Sequence, residues 1–267
     1  MFEQYVVDLT HTDPAVRYEA AQKLGASKDS RAIQPLIAAL PDDNSKVQYA
    51  AFSGLVKLNA EEAVQPILDM LLNDLNSRVW QLLKLNIGMR LRNGLLEMIP
   101  HGDERMTAHL VNALETPELD EHQRALLLRL LGRTGTTDRV DMLIDILLHG
   151  TPTIQGAAAE ALGYLGDPSG VSPLMIFLHV NSNELREIAV EALGRIGHEK
   201  AFDAVLARLD DESEWVRRAA AVALGNLGDR RAVEKLSVAM NDENALVQDA
   251  AFEALKKLSY GKFDLTM

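Results

Sequence analysis

The chain has 267 residues, a formal net charge of -12 and no cysteine. The missing cysteine excludes disulfides, thiolate metal sites, iron–sulfur ligation by this chain and a cysteine nucleophile. The acidic balance argues against nucleic acid, whose phosphates need clustered Lys and Arg, and fits basic protein partners or plain solubility. The opening segment, MFEQYVVDLT, lacks the basic start and long apolar run of a secretory signal. No apolar run approaches the roughly 20 residues that span a bilayer, so no membrane insertion and a cytoplasmic location are expected.

Phe2, Tyr5, Val6 and Leu9 share one helical face and predict a capping helix over 1–10. The same stripe returns 31 residues later as Ile33, Leu36, Ile37 and Leu40, and again at Val171, Leu174, Met175 and Leu178. Before each such second helix stands a first helix, anchored by Val16, Val47, Val79, Gln123, Ile154, Leu185, Val216 or Val247. Three residues ahead of each anchor is a good N-cap: Asp13, Asn44, Asn76, Asp120, Thr151, Ser182, Ser213 and Asn244. Four residues beyond the anchors, Ala20, Ala51, Ala158, Ala189, Ala220 and Ala251 allow close helix approach, with Leu83 and Leu127 as exceptions. Gly135, Gly166, Gly197 and Gly228 stand where a helix end wants a left-handed residue.

A fixed period of 31 residues predicts stacked helical units, each leaning on its neighbours. The expectation is an all-α solenoid of about eight two-helix units in a single domain over 1–267. It comprises an opening helix, seven pairs and a closing helix ending near Leu258, sixteen helices in all, followed by a tail at 259–267.

The period breaks once. Val79 to Gln123 is 44 residues, 13 more than the repeat. The surplus falls mainly in 88–113, where Asn93-Gly94, Pro100 and Gly102 punctuate the chain. An extended first helix and a protruding, irregular loop are expected there. Arg90, Arg92 and Arg105 make it locally basic, and Trp80 stands where Arg is usual. These residues fit either a partner-docking element or a tolerated insertion with Trp80 packed beneath it.

The second helices offer another departure. Five residues past the stripe's start most units carry Ala38, Asp69, Asp145 or Ala207, whereas Ile176 and Val238 are apolar. Met142 and Ile176 lie opposite the core stripe, and Phe177 is on its flank. A helix apolar all round must be covered on more than one side, by a partner or a second copy of the chain. Met142, Ile176, Phe177 and Val238 are therefore candidate protein-binding residues, with packing against the adjacent unit as the alternative for Phe177.

The residues Asp-Glu-Ser-Glu-Trp-Val-Arg-Arg-Ala-Ala-Ala-Val-Ala-Leu-Gly-Asn-Leu-Gly-Asp-Arg-Arg-Ala-Val at 211–233, and their counterparts at 13–37 and 152–175, resemble HEAT repeats of the phycobilisome lyase type. In that family an Arg after the anchor pairs with an Asp at the inter-helix turn. The matching residues are Arg17, Arg124, Arg186 and Arg217, with Asp29, Asp167 and Asp229. The resemblance implies the fold strongly and a function weakly. It implies a protein partner, either a phycobiliprotein or an assembly-pathway protein, and leaves open a role as a bilin lyase subunit or maturation factor. Deoxyhypusine hydroxylase is similar in the unit Val16-Arg17-Tyr18-Glu19-Ala20-Ala21. That family needs His-Glu pairs to hold iron, and Tyr18 and Arg218 stand where His is required.

No Walker loop, dinucleotide glycine pattern, nucleophile elbow or zincin helix occurs. The His-Glu pair His198-Glu199 sits at a turn, and His149 and His179 are too few for a metal site. Neither catalytic nor metal residues are expected, nor a cofactor. The sequence points to a non-enzymatic scaffold, adaptor or assembly factor that binds a partner on its second-helix face.

Overall fold

The computed structural model of the protein describes residues 1–85, 89–99 and 101–260. They form helices and no strand, in two compact units, one ending at Thr134 and the other beginning at Gly135.

The first unit contains α1 (Phe2–Asp8), α2 (Pro14–Ala26), α3 (Ile33–Ala38), α4 (Ser45–Lys57), α5 (Val64–Asn73), α6 (Arg78–Lys84), α7 (Met89–Met98), α8 (Glu104–Leu114) and α9 (Glu121–Arg133). The second contains α10 (Val140–His149), α11 (Pro152–Leu165), α12 (Val171–Phe177), α13 (Asn183–Ile196), α14 (Phe202–Ala207), α15 (Glu214–Leu227), α16 (Val233–Ala239) and α17 (Ala245–Tyr260). Within each unit first and second helices alternate, and the stripes read from the sequence form the core. Leu36, Leu174, Leu236 and the anchors Val47, Val216 and Val247 are all buried.

Local chemistry explains the boundaries. Asp13, Asn44 and Ser182 accept backbone N–H bonds at the starts of α2, α4 and α13, and Asp120 forms a capping box with Gln123. At the third first helix the cap is Ser77, one residue later than Asn76. Gly166, Gly197 and Gly228 end their helices at φ near +70°, where a Cβ would be strained.

The first helices pack closely because glycine and alanine meet between layers. Gly163 lies on Ala192, Gly194 on Ala223, and Gly225 on Ala254. A Cβ on Gly163 would come within 2.7 Å of the Ala192 Cα. In the second unit α11, α13, α15 and α17 therefore form a tight row, while the second helices touch one another sparsely.

The break in the period resolves differently from the expectation. Residues 89–98 form α7 in place of an irregular, protruding loop, and α6 stops at Lys84. Residues 86–88 and Pro100 lie outside the described residues, as does the expected tail beyond Tyr260. Leu91, Leu95 and Met98 give α7 a buried helical face that packs on α4, α6 and α9. The insertion thus supplies one extra helix, making seventeen among the described residues against sixteen expected. A continuous apolar face is the reason: it gains more by burial than a loop gains by solvation.

Candidate interaction surface

Arginine clamps fix the loops from which the first helices start. Arg186 donates to both carboxylate oxygens of Asp211, at 3.0 and 2.8 Å, and to the carbonyls of Val180 and Asn181. Arg217 repeats this with Asp242 and with the carbonyls of Asp211 and Glu212. Arg17 does so with Asp42 and the carbonyls of His11 and Thr12. The partner aspartate is thus 25 residues on, in the loop before the next first helix. Asp29, Asp167 and Asp229, expected as the partners, instead cap the short turn ahead of the second helix through the N–H groups of Arg31, Ser169 and Arg231. Arg124 departs too, donating to the carbonyls of Leu114 and Thr116.

These clamps shift the carboxyls they hold. The Arg217 hydrogen bond keeps Asp242 below the ordinary aspartate range, against the opposing effect of burial. Burial alone would raise Asp211, but the Arg186 hydrogen bonds and the Ser213 N–H outweigh it and leave it lowered.

The sequence-predicted surface residues separate into two groups. Trp80, expected at the surface, is buried: it is 2% exposed, and its indole N–H donates to the Leu71 carbonyl at 2.6 Å. That carbonyl belongs to the last turn of α5, where helix acceptors lack partners, so the indole does locally what arginine does elsewhere. Phe177 is likewise buried, on the flank where α12 meets its neighbours. Met142 is half-buried. Ile176 and Val238, by contrast, are 59% and 69% exposed. They occupy equivalent places on α12 and α16, with exposed Ala207 of α14 between them. On α7, Arg90 is exposed and Arg92 half-buried, its guanidinium pushed down by burial and by the nearby Arg129.

The row of first helices carries a second surface that the sequence reading passed over. In the second unit Trp215 and Val222 of α15 and Leu246 and Phe252 of α17 are exposed. Beside them a small cleft of about 100 Å³ is lined by Glu191, Arg195, Arg218, Val222 and Asn226. Burial pushes the nearby Glu187 carboxyl up, helped by Glu191 and opposed by Arg218. The Arg218 Nε is buried without a hydrogen-bond partner. A larger concavity of about 540 Å³ lies against α16 and α17, lined by Val233, Met240, Phe252, Leu255 and Leu258.

In the first unit the first helices form a groove of about 450 Å³ across α2, α4 and α6. Its lining includes Pro14, Tyr18, Lys46, Tyr49, Arg78 and Leu82. The signal that could have revealed this face was present: immediately before the anchors stand Ala15, Lys46, Arg78, His122, Thr153, Glu184, Trp215 and Leu246. That position changes character from repeat to repeat, while the anchors stay almost uniformly aliphatic. Among the described residues no cluster of three or more His, Asp or Glu side chains is placed to hold a metal ion. No described helix is long and apolar enough to cross a membrane.

The sequence profile of HEAT repeats matches residues 5–84, 107–186 and 171–256. The chain belongs to the HEAT-repeat family. No curated protein sequence matches it. Among solved structures this HEAT-repeat protein is similar to the complex of CpcE and CpcF of phycocyanin lyase from Nostoc sp. PCC7120, with 23% identity and a TM-score of 0.51. That match covers 97% of this chain and 94% of that one. Human deoxyhypusine hydroxylase is 21% identical, over 97% of this chain and 96% of the enzyme, with a TM-score of 0.45. An engineered protein is 21% identical, over 97% of this chain and 78% of the other, with a TM-score of 0.47. The likeness to the lyase complex is one of fold.

Proposed function

We propose that this HEAT-repeat protein is a non-enzymatic binding scaffold, an adaptor or assembly factor that holds a protein partner on the outward faces of its first helices. One observation carries this reading. On those helices the positions that build the stack are repeated, while those facing outward differ in charge, size and aromaticity. Residues that only fill a stack have no reason to vary by layer; residues that contact different parts of one partner do. The exposed column of Ile176 and Val238 is the secondary patch, on the second helices. The clamps and glycine contacts hold the face without occupying it.

The test is photo-crosslinking in the native host, with a photoreactive amino acid at Val222, at Phe252 and, for comparison, at Ile176. A discrete adduct from Val222 or Phe252, absent at Ile176, supports the first-helix faces. A discrete adduct from Ile176 alone moves the site to the second helices, and no adduct from any position argues against a protein partner. A chromophore-lyase role has only the shared fold behind it. Incubation with phycocyanobilin and an apo-phycobiliprotein addresses it directly, since that reading demands a covalent coloured adduct.

A further inference from the structure

The groove across α2, α4 and α6 has a chemistry of its own within this acidic chain. Tyr18 and Tyr49 are half-buried and take equivalent places on α2 and α4. Lys46 and Arg78 are exposed, in equivalent places on α4 and α6, and neither forms an ion pair among the described residues. Three other polar groups at the rim already hold a hydrogen bond. The Asp13 carboxylate accepts the Ala15 N–H, Asn44 accepts the Lys46 N–H, and the Tyr18 hydroxyl accepts from Gln22. The groove offers two cations without ion-pair partners, the tyrosine rings, the Ser45 hydroxyl and the apolar edges of Pro14 and Leu82, and the Asp13 carboxylate is the one acidic group in its lining. Its volume of about 450 Å³ lies within the range of binding pockets, roughly 300–1,000 Å³.

We infer that this groove binds an extended acidic segment of the partner protein, its carboxylates facing Lys46 and Arg78 and an apolar or aromatic residue resting on Tyr18 and Tyr49. The inference rests on the first helices carrying the binding face. Charge complementarity selects the ligand: unpaired cations are left exposed in a chain of net charge -12. Repeat geometry selects its shape. Helices in contact lie about 10 Å apart, and an extended chain of the polyproline II type rises about 3.1 Å per residue and returns to the same face every three residues. Carboxylates roughly three residues apart would therefore meet Lys46 and Arg78 in turn. One of the two residues between them turns toward the tyrosines, whose flat faces suit an aromatic or branched side chain.

Selection of a random dodecapeptide phage library on the full chain tests this, followed by fluorescence anisotropy with labelled synthetic copies of the enriched peptides. The expected peptides carry two Asp or Glu residues about three apart around an apolar or aromatic residue. Their binding falls at least tenfold in K46E/R78E, weakens in Y49A, and weakens as salt rises from about 0.05 to 0.3 M. Circular dichroism of K46E/R78E confirms folding, and K46Q/R78Q serves in its place if that variant is unfolded. The proposal is overturned if the library yields no peptide, if the enriched peptides are not acidic, or if they bind the charge-altered variant as they bind the wild type. Neutral or basic peptides lost on W215E/V222E would overturn the acidic groove and leave the scaffold reading standing.

Discussion

The Arg186 guanidinium lies across the Asp211 carboxylate in a two-point contact, and both side chains are almost wholly buried. The pair joins the start of α13 to the loop ahead of α15, so it ties one layer to the next. Removing only one partner leaves a buried charge with its main counter-charge gone, Asp211 keeping only Arg208 at 3.4 Å and Arg186 only the exposed Glu212. Arg186→Leu is expected to cost about 3 kcal/mol, and Arg186→Leu with Asp211→Leu distinctly less than the two single changes added together. Urea denaturation followed by helical ellipticity measures this, and simple additivity would show that the pair is not coupled.

The same clamps predict an acid limit. Asp211 and Asp242 are held below the ordinary aspartate value of about 3.9. Their stabilisation is fully present above that value, and it is lost as pH falls through their lower folded-state values. Urea midpoints should therefore be unaffected by these two groups above about pH 5, and should fall below about pH 4. Asp211→Asn with Asp242→Asn lowers the neutral-pH midpoint and flattens the acid slope. An unchanged acid slope would mean that other carboxylates govern the limit.

Close approach of the first helices depends on glycine. A Cβ on Gly194 would lie 2.5 Å from the Ala223 Cβ and 2.7 Å from its Cα, and backbone cannot swing aside as a side-chain end can. Gly194→Val is expected to destabilise by about 1–3 kcal/mol. Thermal melting of the variant checks it, and a melting temperature equal to the wild type's would show that the row has slack.

Trp80 and Ile176 should behave in opposite ways. Trp80→Ala removes a buried ring and leaves the Leu71 carbonyl without its donor, for an expected loss of about 3–5 kcal/mol. Ile176→Glu changes an exposed position and should stay within about 0.5 kcal/mol of wild type. A stable Trp80→Ala protein would falsify the core placement of the indole.

By itself the sequence determined the architecture. Anchors, caps, glycine ends and the second-helix stripe are local features, set by helical periodicity and by unpaired backbone groups, and a 31-residue repeat multiplies each signal along the chain. It also marked Ile176 and Val238 as apolar residues off the core stripe, because equivalent places in other units are polar or small. Tertiary structure alone decided the rest. Trp80 and Arg186 occupy the same repeat position, yet one packs on a helix end and the other clamps a loop, and only contacts across layers tell them apart. Asp29 and Asp42 are both plausible partners for Arg17 by spacing and both accept a backbone N–H, and it is layering that brings the Asp42 loop, and not the Asp29 turn, against Arg17. The residues inserted after Val79 read as loop because glycine and proline punctuate them, until α4, α6 and α9 offer α7 a surface on which to bury Leu91, Leu95 and Met98. Lys46, Tyr49 and Arg78 looked like ordinary surface residues in the chain; stacking puts them on one groove, because places 31 or 32 residues apart become neighbours only when the helices are layered.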